Sequence, residues 1–182
     1  MEARYVGNSF EKTVDILIVV VVFFLFPLLY YGLKHDTLTQ NVVLAETTEF
    51  VDTVRTQGYI TKSMYDSYLA DIDQTHIIGD IQLEHKKLLL EPEYRINTTE
   101  EAPVFTGNVL KYYAKFYSFE ILGELYEGSG TYYFNDGDYF SIDISNRSET
   151  LGTKLLRMIN TNIPDTCIQV KYGGSIRNWE GN

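Results

Sequence analysis

The chain has 182 residues, a formal net charge of −10 and a single cysteine, Cys167. Most of the acidic excess lies after residue 36, and an acidic surface repels nucleic acid and anionic lipid, so neither is expected as a partner. One cysteine excludes an intramolecular disulfide. The residues beyond position 36 are numerous enough for one domain with a core of its own.

The most apolar stretch reads DILIVVVVFFLFPLLYYGLKHD and covers residues 15–36. Residues 16–33 contain no charge, and about 20 helical residues cross a bilayer core roughly 30 Å thick. A core helix of a soluble domain would show a polar face, which this stretch lacks. Pro27 is tolerated in a membrane helix because neighbouring groups satisfy the freed backbone. We therefore predict a transmembrane anchor over residues 14–33.

A cleaved signal peptide is the alternative to an anchor. Its apolar part is usually about 7 to 15 residues long and is followed closely by a small-x-small cleavage site. Here the nearest such site, Val43-Leu44-Ala45, lies about a dozen residues beyond the apolar stretch, which favours the anchor. Arg4 and Lys12 precede the segment and only Lys34 closely follows it. The positive-inside rule therefore predicts a cytoplasmic N-terminus, residues 1–13, and an exported C-terminal domain.

The segment TLTQNVVLAETTEFVDTVRTQG has apolar residues at helical spacing, and its last residue, Gly58, offers a C-terminal cap. Residues 14–57 therefore form either one continuous helix or two helices with a bend at residues 32–36. Two sets of residues in this segment recur at helical spacing. The first is Leu38, Val42 and Ala45, and the second is Val43, Phe50 and Val54.

A second helix follows, with Thr61 as its N-cap. Together with the preceding segment it makes a helical stem over residues 34–75. The stretch HIIGDIQLEHKK then alternates apolar and polar residues and predicts a strand that ends at Pro92. The turn-rich stretch NTTEEAPVFTGN is expected to be a loop. The apolar stripe of the second helix consists of Met64, Tyr65, Tyr68, Leu69 and Ile72.

The C-terminal part, residues 76–182, is predicted to be an exported α+β domain. VLKYYAKFY alternates with a period of two and predicts a strand. SFEILGELYEG predicts a helix that Ser118 caps and Gly128 ends. TYYFNDGDYFSIDIS predicts a β-hairpin with Asp136-Gly137 at its turn.

SETLGTKLLRMIN predicts an amphipathic helix that Ser148 caps, and CIQVKYGG predicts a last strand. The fold class is therefore α+β: an N-terminal transmembrane helix with an amphipathic extension, then a small mixed or antiparallel sheet with two or three helices. The predicted apolar face of the amphipathic helix consists of Leu151, Leu155, Met158 and Ile159.

The sequence predicts no catalytic, cofactor-binding or metal-binding residue, and no enzyme. The three histidines lack Cys or His neighbours at metal-ligand spacing. The oxygen ligands of the NDGD stretch are too few for a calcium loop, and the predicted turn accounts for them. Cys167 in a strand is more typical of a core residue than of a nucleophile, and Glu100-Glu101 is typical of a solvated loop. The histidines are His35, His76 and His85, and the NDGD oxygens belong to Asn135, Asp136 and Asp138.

Asp15 lies one residue inside the apolar stretch, where a carboxylate facing lipid costs free energy. One interpretation places it hydrated at the headgroup boundary, beside Lys12 on the same helical face. The other pairs it with a cationic group of a neighbouring subunit.

Four segments together resemble single-pass proteins of tight-adherence (Tad, Flp-type) pilus systems of Gram-positive bacteria, similar in layout to TadE-like minor pilins. The resemblance implies a structural or assembly role, with the membrane and other envelope or pilus subunits, bound through the stem, as partners. One departure is that GNSFEK has Lys12 where a prepilin-peptidase site would have Glu, so the resemblance does not carry over processing by that peptidase. The segments are ETTEFVDTVRTQGYITKSMYDSYL, LEPEYR, GDYFSIDISNRSETLGTKLL and IQVKYGGSIRN.

The predicted function is therefore a membrane-anchored, exported structural or assembly component of a bacterial cell-envelope pilus-like system, either a minor pilin or a pilus-associated protein. The alternative is a membrane-tethered extracytoplasmic ligand-binding or sensing module. That alternative requires a concave pocket lined by convergent polar groups.

Overall fold

The structure is a computed structural model that describes residues 3–77, 79–95, 103–160, 162 and 167–177, with the side chains of the first helix from residue 10 onward. Within these residues ten helices and strands follow one another. They are α1 (Ala3–Gln57), β1 (Tyr59–Thr61), α2 (Lys62–Gln74), β2 (Gly79–Arg95), β3 (Val104–Tyr117), α3 (Ser118–Tyr126), β4 (Thr131–Tyr133), β5 (Tyr139–Asn146), α4 (Leu151–Arg157) and β6 (Gln169–Ser175).

The strands form two sheets, and every described pairing is antiparallel. The larger sheet has four strands in the order β3-β2-β5-β6, and the smaller pairs β1 with β4. Together with the long apolar helix and three further helices, these sheets make the fold α+β, as predicted.

The chain separates into two compact units. One contains residues 1–40 and 148–168, and the other contains residues 41–147 and 169–182. The C-terminal part of α1 belongs to the second unit, and α4 belongs to the first.

Helix α1 runs without interruption through residues 32–36, which decides between the two predicted stems in favour of one helix. The second set of residues at helical spacing is buried: Val43 and Val54 are fully covered and Phe50 is 8% exposed. The first set recurs at helical spacing as predicted but is not buried, since Leu38 and Val42 are about half exposed. Burial of a face at this spacing is what fixes an amphipathic helix to a core.

Helix α2 begins where the sequence predicts, because the Thr61 hydroxyl accepts a hydrogen bond from the Met64 N–H at 3.2 Å. Two tyrosines of its stripe, Tyr65 and Tyr68, contact Phe50 of α1. The Tyr68 ring stacks on Phe50 with 4.5 Å between centroids, and the Tyr68 hydroxyl lies 3.1 Å from the Thr47 hydroxyl. Desolvation raises the pKa of Tyr68, so this phenol stays protonated and can serve as the hydrogen-bond donor.

The predicted hairpin around Asp136-Gly137 is wrong. The strands on either side of the turn lie in different sheets, since β4 pairs with β1 and β5 pairs with β2 and β6. The turn itself is present: Gly137 has a φ of +84° and the Asp138 N–H donates to the Asn135 carbonyl at 3.1 Å. The turn therefore carries the chain from one sheet to the other.

Gly137→Val is expected to destabilise the protein by about 1 kcal/mol or more, because a branched residue rarely adopts a positive φ. A β-carbon at this position would also lie 3.2 Å from Leu88 Cδ2. Chemical denaturation of the full chain in detergent measures the loss. Gly137→Asn is the matched control, since Asn tolerates this conformation better and should lose less. Equal midpoints for the wild type and the valine variant would contradict the turn's requirement for glycine.

Two strand boundaries differ from the predictions. β2 continues through Pro92 to Arg95, and the pairing with β3 shifts register between Pro92 and Tyr94. Proline fits there because β5 pairs only with residues 79–86, which leaves that part of β2 without a neighbour on its other side. The predicted loop is also wrong from Val104 onward, where β3 begins; Glu100-Glu101 lies outside the described residues.

Two predicted caps are replaced by neighbouring residues. Tyr117 is the N-cap of α3, and the Ser118 hydroxyl instead accepts from the Leu83 N–H at 2.8 Å. Thr150 is the N-cap of α4 in place of Ser148, and its hydroxyl accepts from the Thr153 N–H at 3.2 Å. Each helix thus begins within a few residues of the predicted start.

Candidate functional site

The first functional feature is the apolar surface of α1. The helix is long and apolar enough to cross a membrane by length and composition, and its most apolar 18-residue window has a mean hydropathy of 2.7. Only 6% of that window is buried, so the described part of the chain leaves it uncovered. A helix in the core of a soluble domain would be mostly covered instead. The segment is therefore a candidate membrane span whose apolar surface has no cover within the described chain.

The second feature is a polar cluster formed by buried His85 and Asp138 and by half-buried Tyr132. His85 lies on the central strand β2 and is 2% exposed, and Asp138 is fully buried. His85 Nε2 lies 3.0 Å from Asp138 Oδ2, and His85 Nδ1 lies 2.8 Å from the Tyr132 hydroxyl. The imidazole therefore connects the larger sheet to the turn before β5 and to the smaller sheet.

Asp138 accepts two further hydrogen bonds, both from backbone groups. The Leu88 N–H donates to its Oδ1 at 2.8 Å, and the Asn135 N–H donates to its Oδ2 at 2.8 Å. The backbone carbonyl of Asp138 also accepts from the Ile176 N–H at 2.7 Å. A buried carboxylate is tolerated only when such donors satisfy it, and here three donors converge on the side chain.

Aromatic rings enclose the imidazole. Phe134 lies edge-on with its centroid 4.7 Å away, and Phe116 stacks at 5.5 Å. This burial lowers the pKa of His85 from its ordinary value of 6.5, and the Asp138 carboxylate only partly opposes the effect. The imidazole is therefore neutral at neutral pH. Because Nε2 faces a carboxylate it carries the proton, and Nδ1 accepts.

Tyr132 is then the donor to Nδ1. Desolvation, with the nearby Asp138 charge as the second cause, raises the pKa of Tyr132 to about 12. At neutral pH the phenol keeps its proton and is a hydrogen-bond donor, not a nucleophile. The chain of bonds runs from the Tyr132 hydroxyl to His85 and from His85 to Asp138, and it fixes the three elements in one arrangement.

The free energy of unfolding is expected to fall as the pH is lowered, because of the lowered pKa of His85. In the unfolded chain the imidazole takes up a proton near its ordinary pKa of 6.5, whereas the folded protein resists protonation because its pKa is lowered. The unfolded state then binds more protons, so stability is complete above about pH 6.5 and declines as the pH falls towards the folded pKa.

Denaturation midpoints of the full chain between about pH 7.5 and 5.5 measure this effect. His85→Gln should flatten the slope, because glutamine does not titrate in this range. His35→Gln, a change outside the cluster, is the control and should leave the slope in place. The same slope in the wild type and in His85→Gln would contradict the assignment.

A groove of about 380 Å³ opens beside the cluster. Its lining combines a cation and a carboxylate, Lys87 and Glu124, with hydroxyl groups and aromatic rings. The remaining lining residues are His85, Phe116, Ser129, Thr131, Tyr132, Tyr133 and Asn135. Such a groove offers both ionic and stacking contacts to a small polar molecule.

The sequence did not identify this cluster, because His85 and Asp138 are 53 residues apart and Asp138 was attributed to the hairpin turn. The other two histidines lie elsewhere: His35 contacts Thr39 on α1, and His76, with a φ of 57°, contacts the Gln74 carbonyl. Cys167 was wrongly expected in a core strand; it is exposed and precedes β6. Within the described residues, no three His, Cys, Asp or Glu side chains converge as metal ligands.

The fold and these features define an α+β protein with one helix able to cross a membrane and a Tyr–His–Asp cluster in its sheet unit. Comparison with known proteins finds no family model, no curated protein and no solved structure that matches this chain.

Proposed function

We propose that this chain is a single-pass, membrane-anchored structural or assembly component of a bacterial cell-envelope pilus-like system. The continuity of α1 is the observation that supports the proposal most. One uninterrupted helix supplies the uncovered apolar window and, towards its C-terminal end, the buried face that packs into the α+β unit. This is the layout of apolar stem, amphipathic extension and small sheet domain on which the resemblance to Tad-type, TadE-like proteins depends.

The orientation follows from charge. Arg4 and Lys12 precede the apolar segment, whereas Lys34 alone closely follows it, so the N-terminus is cytoplasmic and the sheet unit is extracytoplasmic. Tyr30 and Tyr31 are both exposed, and their position near the end of the apolar segment suits aromatic rings that contact the headgroups of the outer boundary. Both observations support a span that begins near residue 14 and ends near residue 33.

Partner subunits bind through the stem. Beyond the apolar segment α1 still exposes Leu38, Val42 and Leu44, each between 44% and 54% accessible. Outside the bilayer these apolar side chains are exposed to water, so covering them with another helix is favourable. In a pilus-like assembly, the stem of a neighbouring subunit covers these residues.

Asp15→Leu tests the assembly role. Asp15 is exposed on α1 one residue inside the apolar stretch, where its carboxylate pairs with a cationic group of a neighbouring subunit. The leucine variant should insert as well as the wild type but lose co-isolation with other envelope subunits. Blue-native electrophoresis of native membranes in mild detergent measures the loss as disappearance of high-mass bands.

Glu11→Leu is the matched control, because it removes a carboxylate four positions earlier, outside the apolar stretch. It should retain the high-mass bands. Identical bands for wild type, Glu11→Leu and Asp15→Leu would contradict pairing through Asp15. Absence of any other envelope subunit from the wild-type complex would contradict the assembly role as a whole.

The groove beside the His85 cluster favours a second candidate function, a membrane-tethered ligand-binding or sensing module. Lys87 and Glu124 provide the convergent polar groups that this alternative requires. Native mass spectrometry of protein purified from its own membranes separates the two proposals. A bound small molecule that is lost in a Lys87→Ala variant, with no pilus subunits recovered, would favour the sensing module.

A further inference from the structure

Helix α4 contacts α1 through glycine residues on both helices. Gly152 of α4 lies against Asp36, whose Oδ2 accepts the Gly152 N–H at 3.0 Å. On the facing side, a β-carbon added to Gly32 would lie 2.7 Å from Leu155 Cδ1 and 3.3 Å from the Gly152 Cα. Glycine on both helices thus permits a close approach of their backbones, as at helix contacts in membranes.

This contact lies at one end of the apolar segment of α1. Residues 16–33 are the uncharged stretch, and at about 1.5 Å per residue they extend roughly 27 Å, close to the thickness of a bilayer core. Gly32 and Asp36 bracket the point where this stretch ends. If α1 crosses the membrane, α4 is held at the boundary between the acyl chains and the headgroups.

Apart from Leu155, which is half-buried and lies against Gly32 of α1, the predicted apolar face in and just after α4 is uncovered. The sequence predicted one apolar face on this helix, yet the buried residues of α4 are Gly152 and Thr153. Leu151 is 47% exposed, and just beyond the helix Met158 is 80% and Ile159 56% exposed. Three large apolar side chains within nine residues, next to the end of an apolar span, form a surface that water solvates poorly.

The polar groups of the same segment are consistent with a lipid surface. Lys154 is exposed and lies, with Arg157, in the last turn of α4, while Arg157 forms an ion pair with Glu149. An amphipathic segment that lies flat at the interface buries its apolar side chains among the acyl chains and keeps its cations at the headgroups.

We propose that residues 151–159 bind the surface of the bilayer that α1 crosses, with Leu151, Met158 and Ile159 inserted at the boundary between headgroups and acyl chains. The proposal rests on the membrane-spanning part of the proposed function but is independent of any role in a pilus. It gives the protein a second membrane contact, which limits rotation and tilt of the span relative to the bilayer normal.

The test uses the full chain in phosphatidylcholine vesicles with an environment-sensitive fluorophore on one cysteine, in a Cys167→Ser background. Met158→Cys reports on the proposed contact, and its high exposure makes the substitution structurally tolerable. Phe24→Cys, in the middle of the apolar segment, reports on the span itself. Lys154→Cys, a charged position of the same helix, is the matched control.

The expected result is a blue-shifted emission at Met158→Cys that lipids with a shallow nitroxide quench more than lipids with a deep one. Phe24→Cys should be quenched most by the deep nitroxide, and Lys154→Cys should report a more aqueous environment than Met158→Cys. If Phe24→Cys is deep but Met158→Cys is reached only by an aqueous quencher, the surface contact is refuted and the span stands. If Phe24→Cys is also aqueous, the span and the contact are both refuted.

Discussion

Asp138→Ala should lower the free energy of unfolding by about 3 to 5 kcal/mol, because it removes the acceptor of a buried cluster and leaves its donors without a partner. The His85 Nε2–H and the backbone N–H groups of Leu88 and Asn135 all donate to this carboxylate. None of the three can regain its bond without admitting water to the sheet. Denaturant unfolding of the detergent-solubilised chain, followed by tyrosine absorbance or circular dichroism, measures the loss.

Asp136→Ala is the matched control for this prediction. Asp136 occupies the same turn two positions earlier but is exposed, so its loss should change the stability by no more than about 0.5 kcal/mol. Asp138→Asn should fall between the two, since it keeps one acceptor oxygen. If Asp138→Ala unfolded at the same denaturant concentration as Asp136→Ala, the cluster would not stabilise the fold.

Phe140→Ala should also cost about 3 to 5 kcal/mol, because it opens a cavity in the centre of the larger sheet. Phe140 is fully buried on β5, is paired in register with His85, and has its ring centroid 5.2 Å from that of Phe134. Since Phe134 also packs on His85, the cavity should loosen the polar cluster. Denaturant unfolding again provides the measurement.

Phe119→Ala is the control of the same residue type. Phe119 is 87% exposed on α3, so its removal should cost little, and alanine is the better helix former. The double variant of Phe140→Ala and Asp138→Ala should lose less than the two single losses combined, because both act on the same packed group. Additive losses would show that the ring cluster and the polar cluster act separately.

The locally determined elements were predictable from the sequence. The hydroxyl of Thr61 and the apolar stripe of α2 define that helix, and strict alternation defines β3 from Val109 onward. The absence of charge over residues 16–33 predicts the apolar segment of α1 from composition alone. In each of these elements the signal is contained within the element, because capping and periodicity are local properties.

The predictions that were wrong depend on pairing between residues far apart in the chain. The Asp136-Gly137 turn looks like a hairpin because the flanking segments alternate, but β4 pairs with β1, 70 to 74 positions earlier in the chain. Likewise Pro92 and the turn-rich stretch before Val109 indicate breaks, yet the β2–β3 pairing resumes beyond Pro92 after a register shift. Local turn chemistry fixes the backbone of a turn and does not fix which strands pair across it.

The polar cluster could not be predicted from the sequence either, because its residues are also far apart in the chain. His85 and Asp138 carry no spacing signal, and each has an ordinary local interpretation, as a strand residue and as a turn residue. Only the register of β2 against β5 brings the imidazole over the turn. The faces of α1 were predictable in spacing, but which of them the fold covers depends on the position of α2.

Cys167 provides the most direct test of the proposed single span, in which the N-terminus is inside and the sheet unit is outside. This single cysteine is exposed, so a membrane-impermeant maleimide can reach it without any substitution. In intact bacterial cells that express the full chain, Cys167 should be labelled, whereas Asn8→Cys in a Cys167→Ser background should be labelled only after permeabilisation. Labelling of Asn8→Cys in intact cells, with Cys167 protected until permeabilisation, would contradict the proposed topology.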